Sequence, residues 1–406
     1  MSSFSKETQR ELSEAVMMLP QEKLQAVGSK RKRLYIGIPK ENSLQENRVA
    51  LTPESVQLLV NNDHRVVIET GAGEASHFSD TEYSEAGAQI AYSTKEVYEA
   101  DLILKVEPMR EAEMEFLKPK QVIISAMQLN VQPKNYIKNL MLKKVTAIAW
   151  DYIADENGVL PIVRSMGEIA GTTSIHIAAE YLNNINGQGI MFGGITGVPP
   201  TSVVIIGAGT VGEYAARAAL GLGADVRVFD DSITRLKRLQ TAIGQRVSTS
   251  TLQPKILAKA LMRCDVAIGA IRSEKGRTPC LVNEEMVRSM KPSSVIVDVS
   301  IDQGGCFETS RITTHDDPIY VLHDIIHYCV PNIASRVSRT ASHALSNVMG
   351  PIALKTGDEG GIENMIRNYL GIRNGVYLYN GTLTNSYLGE SLGLPYKDLR
   401  LLLAAF

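Results

Sequence analysis

Short apolar runs alternate with amphipathic segments along the chain from Leu34 onward. In the first half of the chain the apolar runs are Leu34–Ile38, Val66–Glu69, Leu102–Val106, Val122–Ala126 and Thr146–Trp150. The segments between them space their apolar residues as helices do, for example Pro53–Val60 and Thr94–Glu99. Runs this short and this apolar are typical of strands buried on both faces. Their alternation with helices predicts a mostly parallel sheet covered on both faces.

A second series of the same kind begins after Pro161. It starts with a long helix, Gly167–Leu182, and continues with strands at Val203–Ile206, Asp225–Phe229, Asp265–Ile268, Val295–Val299 and Ile319–Leu322. The chain ends with helical segments at Ser342–Leu354, Gly361–Asn368 and Asn385–Leu392. We therefore predict an α/β protein with two doubly wound Rossmann-like domains, an interdomain cleft, and C-terminal helices that return to the first domain.

These patterns also predict the domain boundaries. Residues 1–33 form a polar N-terminal extension that ends in a basic run and contains a short amphipathic pattern at Glu7–Met18. Residues 34–161 and 339–406 form the first domain, and residues 162–338 form the second. The extension is expected to be a solvated linker or a helix packed on a neighbouring subunit.

The segment Gly207–Gly212 carries the strongest functional signal. It reads GAGTVG, follows the apolar run Val203–Ile206 and precedes an alanine-rich helical pattern. In a dinucleotide-binding turn the first glycine allows the tight turn, and Gly209 leaves room for the pyrophosphate. Gly212 lets the helix pack closely on the strand, and the pyrophosphate binds the N–H groups at the helix N-terminus. A turn of the same shape that has lost its ligand is the alternative.

An acidic residue at the end of the next strand indicates which dinucleotide is bound. Asp230 follows the strand that ends at Phe229, so its carboxylate is expected to accept hydrogen bonds from ribose hydroxyls and to repel a 2′-phosphate. This predicts NAD as cofactor. The neighbouring Asp231 is a second candidate for the ribose contact, and Arg235 is close enough along the chain to leave NADP open.

Composition excludes several classes of protein. Of the 406 residues 44% are hydrophobic and the net charge is −2, which is typical of a globular protein and gives no indication of nucleic acid or membrane partners. No apolar run approaches the roughly 20 residues that span a bilayer. The N-terminus lacks the apolar core of a secretion signal. The four cysteines lack metal-site spacing, and we expect mostly buried, reduced thiols, no metal and a cytoplasmic location.

In sheets of this type ligands bind beyond the carboxyl ends of the strands, which selects two basic residues of the first domain. Arg48 lies just before a helix that Thr52 and Pro53 are expected to start, where a guanidinium suits a substrate carboxylate. The alternative is an Arg48 that pairs with Glu46. Lys105 ends an apolar strand, where a lysine is a candidate to polarise a keto oxygen or to transfer a proton. The alternative is a Lys105 that points to the surface.

The second domain offers further candidates in its loops. Asp302 follows a strand near the expected nicotinamide position and is a candidate for proton handling, whereas Asp298 lies within the strand and suits a structural role. Met166 and Asn332 fall in loops that are candidates to flank the ring, although a role in filling the core is the more common one for a methionine such as Met166. Of the seven histidines, His323 and His327 are the best placed, and a packed or exposed role is favoured for each.

Long motifs then identify a family resemblance over nearly the whole chain from Leu34. They are GIPKE, ENRVALTPE, ETGAGEASHFSD, ADLILKVEP, SMGEIAG, VIIGAGTVG, VDVSIDQGGCFE, HYCVPNI and HALSNVMGPI. The chain resembles the group formed by alanine dehydrogenases and the N-terminal part of transhydrogenases, and within it the soluble alanine dehydrogenases. ITGVPP and the run Ser335–Val337 are similar to the transhydrogenase side.

The resemblance implies roles for individual residues. Arg48 holds the carboxylate of alanine or pyruvate, Lys105 contacts the keto oxygen, and Asp302 lies beside the reacting carbon. Met166 and Asn332 line the substrate. The implied cofactor-binding residues are Gly207, Gly209, Thr210, Val211, Gly212, Asp230, Arg235, Asp302 and Asn332. The implied reaction is NAD-dependent oxidative deamination of L-alanine to pyruvate and ammonia, and the implied assembly is a homo-oligomer, commonly a hexamer.

Two positions depart from the family pattern. Gln128 takes the place of a catalytic histidine, and Gly167 stands where a serine is usual. A glutamine donates and accepts hydrogen bonds but exchanges no proton near neutral pH, so Lys105 or Asp302 is expected to handle the proton while Gln128 contacts the substrate. Gln128 also motivates two alternatives: a catalytically weakened NAD(H)-binding regulatory protein, and a dehydrogenase for another amino acid such as a lysine derivative.

Overall fold

The computed structural model describes residues 31–42, 45–126, 132–273 and 277–404 of the chain. The described strands, in chain order, are β1 Tyr35–Ile38, β2 Arg65–Glu69, β3 Gln89–Ala91, β4 Leu102–Leu104, β5 Val122–Ser125, β6 Thr146–Ala149, β7 Ser202–Ile206, β8 Asp225–Asp230, β9 Ser248–Thr251, β10 Val266–Gly269, β11 Val295–Asp298, β12 Ile319–Leu322, β13 Ile325–Tyr328, β14 Val376–Tyr379 and β15 Thr382–Leu383.

The described α-helices are α1 Pro53–Asn61, α2 Asp80–Glu85, α3 Thr94–Val97, α4 Glu111–Met114, α5 Lys134–Leu142, α6 Pro161–Tyr181, α7 Thr210–Gly221, α8 Ile233–Ile243, α9 Pro254–Leu261, α10 Glu284–Arg288, α11 Ser338–Asp358, α12 Ile362–Asn368, α13 Leu370–Gly375, α14 Ser386–Leu392 and α15 Leu399–Ala404. Short 3₁₀ turns occupy Glu74–Ser76, Trp150–Tyr152, Val299–Gln303 and Ile333–Val337.

Two sheets organise the molecule, as the sequence predicts. The first has the strand order β15-β14-β6-β5-β4-β1-β2-β3, and the second has the order β12-β13-β11-β10-β7-β8-β9. All pairs are parallel except those that β14, β15 and β12 make at one edge of each sheet. We call the first sheet with its helices the first lobe, and the second sheet with its helices the second lobe.

Both sheets are buried on both faces, which explains the unbroken apolar runs. In β7, Val203 and Ile205 pack into one core while Val204 and Ile206 pack into the core on the opposite face. Successive side chains of a strand point to opposite faces, so a run without polar residues places apolar side chains in two cores at once.

The C-terminal segment returns to the first lobe, which confirms that prediction. Strand β14 pairs with β6, and Leu345 and Met349 of α11 lie in the same core as Ile36 of β1. The long helix α6 joins the lobes, since Ile162 near its start packs in the first core and Ile175 packs in the second. Because α6 packs in both cores, the domain boundary between residues 161 and 162 stays a prediction.

Several elements differ from the sequence prediction. Helix α6 starts at Pro161, six residues before the predicted Gly167, because proline suits the first helical turn. Strands β3, β9, β13, β14 and β15 were not predicted. β9 reads STST and lacks the apolar signal. The predicted helix at Glu7–Met18 lies outside the described residues. Among the described residues, no helix is both long and apolar enough to cross a membrane.

Candidate active site at the junction of the two lobes

Serine side chains of the C-terminal half position the loop that carries Arg48. Ser335 Oγ accepts the Asn47 N–H at 2.7 Å, Ser342 Oγ accepts the Val49 N–H at 3.0 Å and Ser346 Oγ accepts the Thr52 N–H at 2.9 Å. Ser342 and Ser346 are four residues apart and therefore share one face of α11. Thr52 takes the N-cap position of α1 as predicted, but its hydroxyl lies 3.2 Å from Ser346 Oγ and makes no capping bond to the helix.

Arg48 is buried and pairs with Glu46, which was the alternative reading of the sequence. Its Nε lies 2.7 Å from Glu46 Oε1 and its Nη2 lies 2.6 Å from Glu46 Oε2, a bidentate pair. Its Nη1 lies 3.2 Å from the sulfur of Met166. Burial alone would lower the pKa of Arg48, but Glu46 outweighs burial and raises it. The pair leaves Nη1 as the part of the fork best placed to meet a carboxylate.

Lys105 is held between two carboxylates and does not point to the surface. Its side chain is 2% exposed, and its Nζ lies 3.0 Å from Glu41 Oε2 and 2.9 Å from Glu113 Oε1. Strands β1 and β4 are parallel neighbours, so the residues beyond their carboxyl ends, Glu41 and Lys105, meet. Burial lowers the pKa of Lys105, but the two carboxylates together raise it. Lys105 therefore stays cationic, which favours a hydrogen-bond donor over a proton acceptor.

Asn332 connects the two lobes at this site. Its N–H donates to Asp302 Oδ1 at 2.8 Å, within the second lobe. Its side-chain Nδ2 donates to Glu46 Oε2 at 2.7 Å and to the Gln45 carbonyl at 3.2 Å, both in the first lobe. The backbone of Asn332 is left-handed, with φ 57°, a conformation that asparagine tolerates better than most residues. The contacts run from Arg48 through Glu46 and Asn332 to Asp302.

Asp302 has a high proton affinity for a carboxylate, and Asp298 fixes the turn on which it lies. Desolvation raises the pKa of Asp302, against the lowering effects of the Asn332 N–H and of Arg48. Asp298 accepts hydrogen bonds from the Ser300 and Cys306 N–H groups and from Ser310 Oγ, at 3.0, 2.9 and 2.7 Å. The structural role predicted for Asp298 is confirmed.

The glycine turn has the geometry that the sequence predicts. Gly207 has φ 118°, and a Cβ there would lie 2.4 Å from the Ala270 carbonyl oxygen. A Cβ on Gly212 would lie 1.9 Å from the Gly207 carbonyl oxygen, so α7 packs directly against the turn. A Cβ on Gly209 would meet no described atom within 4 Å. The fold therefore requires Gly207 and Gly212, whereas the space at Gly209 is free for a ligand. Thr210 and Val211 form the first turn of α7 beside it.

The carboxylate of Asp230 is less accessible than the sequence suggests. It is fully buried, and its oxygens accept the Ala208 N–H at 2.7 Å and the Ser232 N–H at 2.8 Å. A carboxylate offers about four acceptor positions, so ribose hydroxyls would add to these bonds after a small opening of the turn. Arg235 is half-exposed, with Nη1 3.7 Å from Asp230 Oδ2. Asp230 therefore lies at the end of β8 with both carboxylate oxygens engaged by neighbouring backbone N–H groups.

The structure brings Arg48, Met166, Asp302 and Asn332 together and places Lys105 behind Glu41. The predicted site residue Gln128 lies outside the described residues. Sequence reasoning missed Glu41 and Glu113 as partners of Lys105. The rule that selected Lys105, its position beyond a strand end, also selects Glu41. Glu113 lies on the four-residue helix α4, and no sequence pattern connects it to Lys105.

Family models match almost all of this architecture. The model described as the N-terminal domain of alanine dehydrogenase/PNT matches residues 37–170, and the model described as the C-terminal domain matches residues 174–386. The chain belongs to this family. The family and the fold of the second lobe imply a nicotinamide nucleotide as cofactor. The open space at Gly209, beside the N-terminus of α7, fits the pyrophosphate of such a group.

Individual relatives are similar over nearly their whole length. An alanine dehydrogenase of Methanococcus maripaludis is 41% identical over 366 residues, which cover 89% of this chain and 98% of the relative. Alanine dehydrogenase 2 of Staphylococcus aureus is 39% identical, covering 90% and 98%. A solved L-alanine dehydrogenase structure aligns with a TM-score of 0.83 at 36% identity, covering 88% of this chain and 99% of that one. A transhydrogenase from Sinorhizobium meliloti shares the fold, with a TM-score of 0.75 at 24% identity.

Proposed function

We propose that the protein catalyses the NAD-dependent oxidative deamination of L-alanine and its reverse. The balanced reaction is L-alanine, NAD⁺ and water giving pyruvate, ammonium, NADH and a proton. The observation that carries the proposal is the series of contacts from Arg48 through Glu46 and Asn332 to Asp302. It places a guanidinium of the first lobe beside the loops of the second lobe that follow the nucleotide-binding strands.

The residues of the first lobe bind and orient the substrate. Arg48 takes the substrate carboxylate through Nη1, while Glu46 keeps the rest of the guanidinium fixed. Met166 packs against the same nitrogen and limits the space beside it. Lys105 supplies a fixed positive charge. Its direct contact with the keto oxygen remains a prediction, because Glu41 lies against Lys105 Nζ and the substrate would have to approach this nitrogen beside it.

The second lobe supplies the cofactor site and a carboxylate for proton transfer. A nicotinamide nucleotide held at the glycine turn of the second lobe would supply the hydride acceptor for C2 of the substrate. Asp302 would hold or release the proton around the amino nitrogen, a role that suits a carboxyl whose pKa is raised above the usual aspartate value. The hydrogen bond between Asn332 and Glu46 holds the two lobes together at this junction.

Asp230 supports NAD over NADP in this proposal. The buried carboxylate opposes a 2′-phosphate, and Arg235 already lies towards Asp230 at 3.7 Å. A homo-oligomeric state and a cytoplasmic location stay predictions from the sequence. The binding-only alternative is not favoured, because the similar curated proteins are named as alanine dehydrogenases.

The test is a rate measurement with the purified full-length protein. We expect NADH formation that depends on L-alanine and NAD⁺, and a much lower kcat/KM with NADP⁺. D-alanine and larger L-amino acids serve as substrate controls. Turnover of another amino acid with none of L-alanine would reassign the substrate. Tight NADH binding with no turnover of any amino acid would favour the binding-only alternative that Gln128 motivates.

A further inference from the structure

A small pocket opens beside Arg48, on the first-lobe side of the site. Its volume is about 120 Å³, enough for several water molecules or for a small amino acid. Its walls include Arg48, Glu46, Asn47 and Glu41, and its mouth carries the exposed pair Lys40 and Glu74. The guanidinium that we assign to the substrate carboxylate therefore shares a pocket with a buried carboxylate, Glu41.

The buried charges around this pocket do not balance. Arg48 and Lys105 are the cations, and they contact three buried carboxylates, those of Glu41, Glu46 and Glu113. Three carboxylates therefore share two cations in a poorly solvated place, where charges interact strongly. Such a group favours a ligand that brings a positive charge.

The hydrogen bonds indicate which carboxylate has room for that charge. Glu46 accepts four donors from the described residues: the N–H, Nε and Nη2 of Arg48, and Nδ2 of Asn332. A carboxylate offers about four acceptor positions, so Glu46 is saturated. Glu41 accepts two donors from the described residues, the Val106 N–H at 2.7 Å and Lys105 Nζ at 3.0 Å. No further donor among the described residues contacts Glu41, which leaves acceptor positions for a ligand in the pocket that it lines.

We propose that Glu41 binds the ammonium group of the substrate, so that the zwitterion of an α-amino acid lies between Arg48 and Glu41. The inference rests on the proposed function and adds to it a residue that distinguishes amino acids from acids without an amino group. Desolvation raises the pKa of Glu41, against the lowering effect of Lys105, and an arriving ammonium group would relieve that penalty. Lys105, behind Glu41, keeps this carboxylate in place.

Glu113 provides a closely matched control. Both glutamates are buried, both give one oxygen to Lys105 Nζ and the other to a backbone N–H, that of Val106 for Glu41 and that of Arg110 for Glu113. Of the two, Glu41 lines the pocket and Glu113 does not. The variants Glu41→Gln and Glu113→Gln therefore disturb Lys105 alike, but one of them also changes the pocket wall.

The experiment compares KM for L-alanine with the inhibition constant of propionate, which has the carboxylate and lacks the ammonium group. For Glu41→Gln we expect KM for alanine to rise by about ten- to a hundredfold, the usual worth of a hydrogen bond to a charged group. The inhibition constant of propionate should stay within about twofold. For Glu113→Gln both constants should shift by similar factors. NADH affinity and thermal unfolding verify that each variant is folded.

If Glu41→Gln is unstable, Glu41→Asp provides the second test, because it keeps the charge and withdraws it from the ligand. It should also raise KM for alanine more than the inhibition constant of propionate. Equal effects of Glu41→Gln and Glu113→Gln on alanine, or equal loss of alanine and propionate binding, would overturn the inference and leave the proposed function standing. A wild-type protein that oxidises no alanine would overturn the proposed function and this inference with it.

Discussion

The two lobes contribute different kinds of chemical group to the site. The first lobe uses buried charged side chains, and each of them, Arg48, Lys105 and their glutamate partners, is held by an opposite charge. In the second lobe, the proposed nucleotide site consists of the N-terminal turn of α7 and the space left by the missing side chain of Gly209. A carboxylate and an ammonium group require fixed point charges, whereas a pyrophosphate is bound well by a helix N-terminus.

This difference also explains what the sequence could predict. The spacing of Gly207, Gly209 and Gly212 acts within one turn, so local reasoning found the turn and the reason for Gly207 and Gly212. Lys105 meets Glu113 through tertiary contacts that no local pattern contains. Parallel neighbouring strands bring Glu41 to Lys105, and the strand order that places them together came from the structure.

The overall fold was predictable for a related reason. The runs of β1, β4, β5 and β7 are buried on both faces, and an uninterrupted apolar run in the sequence predicts burial of this kind. The polar edge strand β9 carries no such signal and was missed. The serines Ser342 and Ser346 that hold the Arg48 loop lie almost 300 residues away from it, and serine on a helix predicts no particular partner.

The largest effect is expected when the guanidinium of the first lobe is replaced by an ammonium group. Arg48→Lys keeps the charge but loses the bidentate bond to Glu46 and the fork that meets the substrate carboxylate. We expect kcat/KM for L-alanine to fall by about a hundredfold, from the loss of charge-assisted hydrogen bonds. Affinity for NADH should be unchanged. A variant within threefold of the wild type would show that Arg48 does not hold the substrate.

The contact between the lobes is tested by Asn332→Asp, which keeps the shape and the left-handed backbone. The new carboxylate would face Glu46 Oε2 across a distance of 2.7 Å in place of a hydrogen-bond donor. Repulsion at this distance predicts a loss of about tenfold or more in kcat/KM. Ser335→Ala removes a different bond between the lobes, to the Asn47 N–H, and serves as the milder control. Equal activity of Asn332→Asp and wild type would contradict the proposed role of this contact.

Two glycine variants of the second lobe distinguish an effect on nucleotide binding from an effect on stability. Gly209→Ala places a methyl group in open space, so we expect the unfolding temperature to stay constant while NADH affinity falls by about tenfold. Gly212→Ala places it 1.9 Å from the Gly207 carbonyl oxygen and should destabilise the protein by about 1–3 kcal/mol. Calorimetric titration with NADH and thermal unfolding distinguish the two outcomes. Unchanged NADH affinity in Gly209→Ala would place the pyrophosphate elsewhere.

A separate effect, on stability alone, concerns a buried neutral group of the second lobe. His327 is fully buried, with Nε2 2.9 Å from Thr309 Oγ1 and Nδ1 3.0 Å from the Ile325 carbonyl oxygen. Burial lowers its pKa to about 4, below that of the unfolded chain. The unfolded state therefore binds more protons between about pH 6.5 and 4, and the contribution of His327 to stability is lost as pH falls through this range.

The loss amounts to about 3 kcal/mol for a pKa difference of this size. It is measured as the free energy of unfolding at several pH values, for the wild type and for His327→Gln. We expect the wild type to lose more stability than the variant between pH 6.5 and 4. Parallel pH profiles would show that His327 is not the group that titrates.

The most direct test of the account uses L-alanine that carries deuterium at C2. C2 of the alanine anchored through Arg48 would face a cofactor held by the second lobe, so the hydrogen on C2 should move to the nicotinamide without exchange with water. We predict that the purified protein converts this alanine and NAD⁺ into pyruvate and NADH with deuterium on C4 of the ring, detected by NMR. Formation of NADH without deuterium, or no NADH at all, would contradict the account.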